Sequence, residues 1–462
     1  MVLIMIRLQT DAFAESFPLF FFYSAIVDSG LVRESHWDAE KSLSSMLTMP
    51  TSKASATQRL GRAGRVAEGK CYRLYSLGQY EAMKDRPLPE IQRSALESIC
   101  LNTCSMTNEK VATFLSRALD PPKEEAVAYS MERLQKLGAI SVESTVETLT
   151  PLGMCLSRLP LDPAIGRMLI MGCVMQCLDP ILTAAACFSS RDIFFTPPGF
   201  RDEQRKIRGE FCQSSDTLAA VRAYEEYNDI LRDEGWNVAR HWASENFISV
   251  TTLTSVHSIR NQLISELNRI GFIPNSDIEF SRGRNKVLRP DATVNQNARI
   301  DLLSSAVWAC GAPDNLAARQ QLGSFGSMRT RNEDKVCLHP SSVAFYRKPP
   351  KHSSRLPPWF SYREMVLSSQ VFLRGCTALS PEQIMLFGGY DYDITKRQLD
   401  DWAIVESQCD ETLDALSAAR HEINAALELS VINPRKPLPY SHRAIIDAIC
   451  DCFDVLEATE NE

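Results

Sequence analysis

The eight residues Gln58–Arg65 constrain the possible fold of this chain more than any other segment. They read Gln-Arg-Leu-Gly-Arg-Ala-Gly-Arg and hold three arginines and two glycines. Glycine lets a backbone approach a ligand closely, and arginine offers a planar set of donors that fits phosphate oxygens. Arg62 and Arg65 lie one turn apart if the segment is helical, so both can reach one anion. The segment therefore predicts a phosphate-binding site; the alternative is a basic loop that binds nothing in particular.

This segment resembles the sixth conserved motif of the DEAH-box RNA helicases, Q-R-x-G-R-A-G-R. In that family the motif lies on the second of two RecA-like domains and faces ATP held by the first. The resemblance implies that Gln58 orients the hydrolytic water or the terminal phosphate and that Gly61 lies against the nucleotide. It also implies that Arg62 and Arg65 act as arginine fingers, which stabilise charge on the transferring phosphoryl group.

The resemblance extends over roughly residues 24 to 430 and covers only a C-terminal portion of the family. The sequences Asp120-Pro121-Pro122 and Leu386-Phe387-Gly388-Gly389 most resemble those of the subgroup around RNA helicase A and the G-quadruplex-resolving helicases. By resemblance, the intact family enzyme uses ATP and Mg²⁺.

The segment Gly64–Cys71 nearly matches the phosphate-cradling loop G-x-x-x-x-G-K-[ST], but Cys71 replaces the hydroxyl residue that holds Mg²⁺. No apolar strand leads into Gly64, and no D-E-x-H sequence occurs in the chain. We therefore expect this chain alone to bind neither ATP nor Mg²⁺ and to be inactive as an enzyme. Its expected partner is a missing N-terminal RecA-like domain, so the sequence is interpreted as a fragment of a longer helicase or a truncated product.

Charge and cysteine content limit where ligands can bind. The chain has 462 residues and a net charge of −7, so any nucleic-acid surface has to be local. The largest local surplus of basic residues lies between Lys53 and Arg93, around the expected phosphate site. Fourteen cysteines are scattered without any C-x-x-C pair, which indicates buried free thiols in a reducing compartment rather than a metal site.

The apolar run Phe17–Val27 is too short to span a bilayer. Asp11 and Glu15 precede it, where a secretory signal has positive charge. A buried parallel strand explains the run, because such strands are apolar on both faces. We expect no membrane segment and an intracellular location, cytoplasmic or nuclear.

The predicted fold class is multidomain α/β plus α. The domains implied by the resemblance are a partial second RecA-like helicase domain at 1–93, a winged helix at 94–157, a helical ratchet-like domain at 158–274, an OB-like β-barrel at 275–405, and a C-terminal helix with an acidic tail at 406–462.

Local signals predict several element boundaries. Asp120, Asp162 and Asp179 each precede a proline and are expected to cap a helix. In the family, Leu31–Pro50 falls where a β-hairpin wedges against RNA, and its turn is expected near Trp37-Asp38-Ala39. The last amphipathic helix is expected around Leu413–Leu427, followed by a solvated acidic tail.

Two groups of residues are predicted to contact RNA. Arg33, His36 and Trp37 combine an aromatic ring with basic groups, which suits base stacking and phosphate contact, although a plain edge hairpin with a packed tryptophan is an equal alternative. His339, Ser341 and Ser342 match a loop that the family uses close to RNA; the alternative is that His339 is only a turn residue beside a proline.

The best interpretation is the C-terminal part of an ATP-dependent RNA helicase, which couples NTP hydrolysis to RNA translocation and unwinding. The alternative is a non-enzymatic RNA- or partner-binding module derived from a helicase. A DNA-binding winged-helix regulator is a weaker third hypothesis. RNA, single-stranded or structured, is the expected partner, and no specific protein partner can be inferred from the sequence.

Overall fold

The computed structural model describes residues 3–7, 23–38, 43–63, 68–143, 146–280, 286–319, 327–345, 357–367, 370–405 and 410–461. These residues form two compact units. The first comprises Met1–Ala95 with Arg117–Lys123, and the second comprises Leu96–Ser116 with Glu124–Glu462. Each unit buries apolar side chains of its own, for example Ile26 in the first and Trp308 in the second.

The first unit is a small mixed sheet with a separate hairpin and two helices. Its elements are β1 (Leu3–Arg7), β2 (Tyr23–Asp28), β3 (Leu31–Asp38), β4 (Leu43–Pro50), α1 (Lys53–Leu60), β5 (Lys70–Arg73) and α2 (Leu77–Glu81), with a 3₁₀ turn at Glu90–Gln92. In the sheet, β2 pairs antiparallel with β1 and parallel with β5. The predicted buried parallel strand is therefore confirmed for Tyr23–Asp28, where Ile26 is fully buried. Residues 8–22 lie outside the described part of the chain.

The second unit begins with three helices and a short hairpin. They are α3 (Glu97–Met106), α4 (Val111–Leu115), α5 (Glu124–Lys136), β6 (Ile140–Glu143) and β7 (Val146–Leu149). Helix α5 buries Val127 and Leu134, and Gly138, with a φ of 79°, ends it in the left-handed conformation that glycine adopts without strain. Strands β6 and β7 form an antiparallel pair, which is the wing of the winged helix predicted at 94–157.

The prediction that Asp120 caps α5 is wrong, because the helix begins only at Glu124. The helical conformation is unfavourable for a residue that precedes a proline. Both Asp120 and Pro121 precede one. The Pro121-Pro122 pair therefore delays the helix instead of forming its first turn.

Seven helices follow and form the centre of the second unit. They are α6 (Pro151–Leu156), α7 (Pro163–Val174), α8 (Leu178–Phe188), α9 (Arg201–Phe211), α10 (Asp216–Asp233), α11 (Trp236–Glu245) and α12 (Val250–Ile270). The predicted cap at Asp162 is confirmed, since its carboxylate accepts a hydrogen bond from Ala164 N at 2.9 Å. The predicted cap at Asp179 is wrong, because α8 already begins at Leu178. The Asp179 carboxylate instead accepts a hydrogen bond from Arg260 at 2.7 Å.

Short strands and two helices make up the next region. They are β8 (Ile278–Phe280), β9 (Lys286–Leu288), α13 (Asp301–Cys310), β10 (Leu316–Arg319), β11 (Met328–Thr330), β12 (Cys337–Leu338), β13 (Trp359–Ser361), β14 (Glu364–Leu367), β15 (Val371–Arg374), β16 (Thr377–Leu379), α14 (Pro381–Phe387), β17 (Tyr392–Asp393), β18 (Gln398–Leu399) and β19 (Ala403–Ile404), with 3₁₀ turns at Asn275–Asp277 and Thr293–Asn295. The main sheet has the order β11-β10-β13-β16, and β12-β15-β14 forms a second sheet.

The predicted OB-like β-barrel does not close among the residues that the structure describes. An isolated bridge between Met328 and Val336 links the two sheets, but β14 and β16 do not pair with each other. The free edge of β16 is occupied by the chain that enters α10, where Asp216 N donates to Cys376 O at 2.8 Å and Ala378 N donates to Ser214 O at 2.9 Å. An edge whose backbone groups are already paired cannot close a barrel.

Two long helices end the chain. They are α15 (Asp410–Ile432) and α16 (Tyr440–Asn461). The predicted amphipathic helix is confirmed by α15, which buries Leu413 and Leu427. The predicted acidic tail is wrong, because α16 is a helix that buries Ile446, Cys450 and Phe453 at helical spacing against α13 and α15. No helix in the described part of the chain is long and apolar enough to cross a membrane.

Candidate nucleic-acid interface

The motif Gln58–Arg65 begins inside α1 and continues past its end. Ser52 caps this helix, and its side chain accepts a hydrogen bond from Ser55 N at 3.1 Å. Helix α1 ends at Leu60, so Arg62 lies in the turn that follows and not on the helix. Gln58, Gly61 and Arg62 are all exposed. Arg65 lies outside the described residues.

The structure describes two arginines of the motif, Arg59 and Arg62. Of these, Arg59 has a structural role. Its guanidinium donates to the buried carboxylate of Asp28 at 2.8 Å and to Leu31 O at 3.1 Å. Asp28 also accepts a hydrogen bond from the hydroxyl of Tyr75 at 3.1 Å. These bonds fix α1 against the end of β2, and they position the exposed turn that carries Arg62.

Gly61 has an ordinary helical backbone, with a φ of −65°. A Cβ at this position would meet no atom of the described chain closer than 3.6 Å. Among the described residues, neither the backbone nor the local packing requires a glycine there.

The β3–β4 hairpin confirms the predicted hairpin of Leu31–Pro50. Its register runs from Leu31 opposite Pro50 to Asp38 opposite Leu43. Strand β3 continues to Asp38, and the rest of the turn predicted near Trp37-Asp38-Ala39 falls on residues 39–42, which lie outside the described part. For Arg33, His36 and Trp37 only the backbone is described, so their predicted RNA contacts stay predictions.

A cleft of about 630 Å³ lies in the second unit. It is bounded by the segment that joins α8 to α9, by α9 and α10, by the loop after β12, and by the turns that flank β14 and β15. Among the described residues that line it are the arginines Arg191, Arg201, Arg208, Arg363 and Arg374 and the acids Asp192, Asp216 and Glu364. Five arginines against three carboxylates give the cleft a positive surplus.

Three of these arginines are bound within the protein. Arg208 is buried and pairs with Asp192 at 2.8 Å. Arg363 donates to the carbonyl oxygens of Phe188 and Ser190, and Arg374 lies 3.6 Å from Glu364. By contrast, Arg191 and Arg201 are exposed and have no carboxylate partner among the described residues. Of the five arginines that line the cleft in the described structure, these two are available to a ligand.

Asp216, the first residue of α10, holds the wall of the cleft together. Its carboxylate accepts a hydrogen bond from Val343 N at 3.0 Å and another from Cys376 N at 2.9 Å. It also lies 3.4 Å from the guanidinium of Arg208. One buried carboxylate therefore ties together a helix, the loop after β12 and the turn before β16. Sequence reasoning missed Asp216 because its partners are distant in the chain.

His339 and Ser341, both predicted RNA contacts, line the cleft. His339 Nδ1 lies 2.6 Å from Ser341 Oγ, and His339 Nε2 lies 3.1 Å from a guanidinium nitrogen of Arg374. Burial, together with the Arg374 and Arg201 cations, lowers the pKa of His339 to about 4. The imidazole is therefore neutral at physiological pH. Ser342, in the same loop, is 2% exposed and is not among the lining residues.

Comparison with known families identifies three segments of the second unit. Residues 130–161 match the winged-helix part of the helicase-associated domain, and residues 162–233 match its ratchet-like part. Residues 305–390 match the oligonucleotide/oligosaccharide-binding (OB) fold. The winged-helix, ratchet-like and OB-fold parts of the predicted fold class are thus confirmed.

The chain is 32% identical over 450 residues to the ATP-dependent DNA/RNA helicase DHX36 of Mus musculus, which is 94% of this chain and 43% of that protein. It is 35% identical over 372 residues to the DExH-box ATP-dependent RNA helicase DExH1 of Arabidopsis thaliana, or 79% of this chain and 34% of that protein. This chain is homologous to the C-terminal portion of the DEAH-box RNA helicases. The resemblance to this family that was inferred from Gln58–Arg65 is thereby confirmed.

The chain spans less than half the length of these two relatives. Within it, the cleft lies between the two matched segments that follow the winged helix. Arg191, Arg201, Arg208 and Asp216 fall in the ratchet-like match, and His339, Ser341, Arg363 and Arg374 fall in the OB-fold match. The site is thus assembled from both segments.

Proposed function

We propose that this chain is the C-terminal part of an ATP-dependent RNA helicase, and that the cleft between its ratchet-like and OB-fold segments binds single-stranded RNA. The observation that carries the proposal is the pair of exposed cations Arg191 and Arg201, which have no carboxylate partner in the described part of the chain, at a cleft with a positive surplus. Phosphate groups are the natural ligands of such cations, and a whole-chain charge of −7 gives no general attraction to nucleic acid.

Aromatic residues beside the cleft support a single-stranded ligand. Phe200 is 48% exposed and precedes Arg201, and its ring lies 6.1 Å from that of Phe247. Phe195, 44% exposed, lies at the same distance from Phe247. Exposed rings next to cations bind single strands by stacking on bases while the cations hold the backbone.

For the ATP side we propose that Gln58, Gly61, Arg62 and Arg65 face a nucleotide held by an N-terminal RecA-like domain outside this chain, with 1–93 as part of the second such domain. ATP with Mg²⁺ supplies the phosphoryl transfer that powers movement along RNA. The exposed Arg62 and the open space at Gly61 fit a phosphate group. Their role is to place a fixed positive charge where negative charge develops.

The cleft is tested by the double variant Arg191→Ala/Arg201→Ala. Loss of about two phosphate contacts should weaken binding of a fluorescent single-stranded RNA and lower the slope of log affinity against log salt by roughly 1.4, since each contact on a single strand contributes about 0.7. Arg158→Ala/Arg240→Ala removes two exposed arginines outside the cleft and should leave the slope unchanged. Equal slopes in wild type and the cleft variant would contradict the proposal.

The second candidate is a non-enzymatic RNA- or partner-binding module, and the cleft supports it as well, because RNA binding there needs no nucleotide. Both candidates allow RNA binding and predict no ATP turnover by this chain alone, so neither measurement on the chain separates them. Joining the chain to an N-terminal RecA-like half does separate the two candidates. RNA-stimulated ATPase activity supports the helicase, and its absence in a folded chimera supports the module.

A further inference from the structure

Helix α16 has two apolar faces, and the described residues of the chain cover only one of them. The buried face carries Ile446, Cys450 and Phe453. Glu457 fixes the same side, because its carboxylate accepts a hydrogen bond from Leu302 N at 3.0 Å. Near the start of the helix, Arg443 donates to Val174 O at 2.9 Å. These contacts hold α16 in place, so its outer face is a fixed surface.

The second apolar face is exposed. It consists of Ile445, Ala448, Cys452 and Val455, and we call these four residues the outer stripe. Val455 is 63% exposed and Ile445 is 37% exposed, and Leu456 beside them is 48% exposed. A solvated helix normally has polar residues on this side. The outer stripe is a row of apolar side chains about 15 Å long, given a rise of about 1.5 Å per residue.

The spacing of the outer stripe is that of a helix–helix seam. Its members follow one another at intervals of three, four and three residues, which is the alternation of the a and d positions in a heptad. Ala448 and Cys452, in the middle, are small and allow another helix to approach closely. This pattern fits one further helix better than a flat surface or a small molecule.

The charge beside the outer stripe decides what kind of helix fits. Asp447, Asp451 and Asp454 are exposed and lie along one flank. Asp447 pairs with Arg443 at 3.2 Å, whereas Asp451 and Asp454 have no ionic partner in the part of the chain that the structure describes. A second copy of α16 fits badly, since the carboxylate rows of an antiparallel pair would face each other.

We propose that the outer stripe of α16 is a docking site for a basic amphipathic helix of a partner protein. The apolar face of that helix would cover Ile445, Ala448, Cys452 and Val455, and its lysines or arginines would pair with Asp451 and Asp454. The inference does not depend on the proposed RNA cleft, which is lined by other elements.

The test uses the full chain and two designed peptides. Both have leucine at the a and d positions; one has lysine and the other glutamate at the flanking positions. The lysine peptide should bind at least tenfold more tightly than the glutamate peptide, as measured by fluorescence anisotropy. It should also slow alkylation of the exposed Cys452 and not that of the half-buried Cys104, as measured by mass spectrometry. Equal binding of the two peptides, or no protection of Cys452, overturns the proposal.

Two variants locate the site and its charge preference. Val455→Asp should weaken binding of the lysine peptide at least tenfold, while Ile404→Asp, at a 62% exposed position on β19, should have no effect. Asp451→Lys/Asp454→Lys should reverse the peptide preference; an unchanged preference overturns the role of these acids. A chain that sediments as a dimer and becomes monomeric in Val455→Asp would show that a second copy covers the outer stripe, against the proposal. Circular dichroism checks that each variant is folded.

Discussion

The arginines of the Gln58–Arg65 motif show how residues of one type separate into different tasks. Arg59 is bound to the buried Asp28 and holds α1 in place. Arg62, three residues later, lies beyond the helix end and is exposed. Composition and spacing predicted a phosphate site around these residues, but no sequence signal distinguishes the structural arginine from the exposed one. That distinction depends on Asp28, which is 31 residues away.

In a longer helicase that includes the ATP-holding half, Arg62→Ala/Arg65→Ala is expected to reduce RNA-stimulated ATPase activity by about 10³-fold or more, because an arginine finger stabilises the transition-state charge by that order. RNA affinity should change little, since these residues are proposed to face the nucleotide. The measurement is phosphate release under saturating RNA. A double variant with wild-type turnover would refute the finger assignment.

His339 gives a prediction for stability against pH. The folded protein holds the pKa of this imidazole at about 4, below the roughly 6.5 of an unfolded chain. As the pH falls below 6.5, the unfolded state therefore takes up the proton first, and the contribution of His339 to stability is lost progressively toward pH 4. In His339→Gln, the drop in unfolding free energy between pH 7 and pH 5 should be smaller than in wild type, measured by urea denaturation. An identical drop in both proteins would show that His339 is not the group responsible.

At the scale of elements, the sequence predicts strands, turns and caps that depend on neighbouring residues. Its predictions are wrong where a residue far away in the chain binds the group in question. The hairpin of Leu31–Pro50, the wing and the cap at Asp162 depend on neighbouring residues, and all three are confirmed. Asp179 has the same Asp-Pro signal as Asp162, but its carboxylate is paired with Arg260 and does not cap a helix. The acidic end was predicted as a tail because its charges dominate, yet its buried apolar row makes it helix α16.

Asp216 shows how much one buried group contributes to the arrangement of elements. Asp216→Ala would leave the backbone N–H groups of Val343 and Cys376 without their acceptor and would remove one of the partners of the buried Arg208. We expect a loss of about 3–5 kcal/mol in unfolding free energy, as found when one member of a buried ion pair is removed. Asp192→Ala, which removes the half-exposed partner of the same arginine, should cost less. Urea denaturation measures both, and a smaller effect at Asp216 than at Asp192 would contradict this ranking.

At the scale of the whole molecule, side-chain ties join the segments of the second unit. Arg133 of α5 binds Glu97 of α3 and, at 2.7 Å, Asp314 of the segment before β10. Asp216 joins α10 to the strands, and Arg443 joins α16 to the end of α7. The matched winged-helix, ratchet-like and OB-fold segments thus form one compact unit. The sequence predicted these segments through resemblance, but the ties could not be predicted, since each joins residues far apart in the chain.

Because these ties lie within the second unit, residues 94–462 produced alone should fold and keep the RNA cleft. Circular dichroism should show high helix content and a cooperative thermal transition, while an aggregated or non-cooperative product would contradict the prediction. The salt dependence of RNA affinity then separates the two predicted contact regions. If only the cleft binds RNA, the slope should equal that of the full chain. If Arg33, His36 and Trp37 of the hairpin also contact RNA, the slope should be shallower, because phosphate contacts have been removed with residues 1–93.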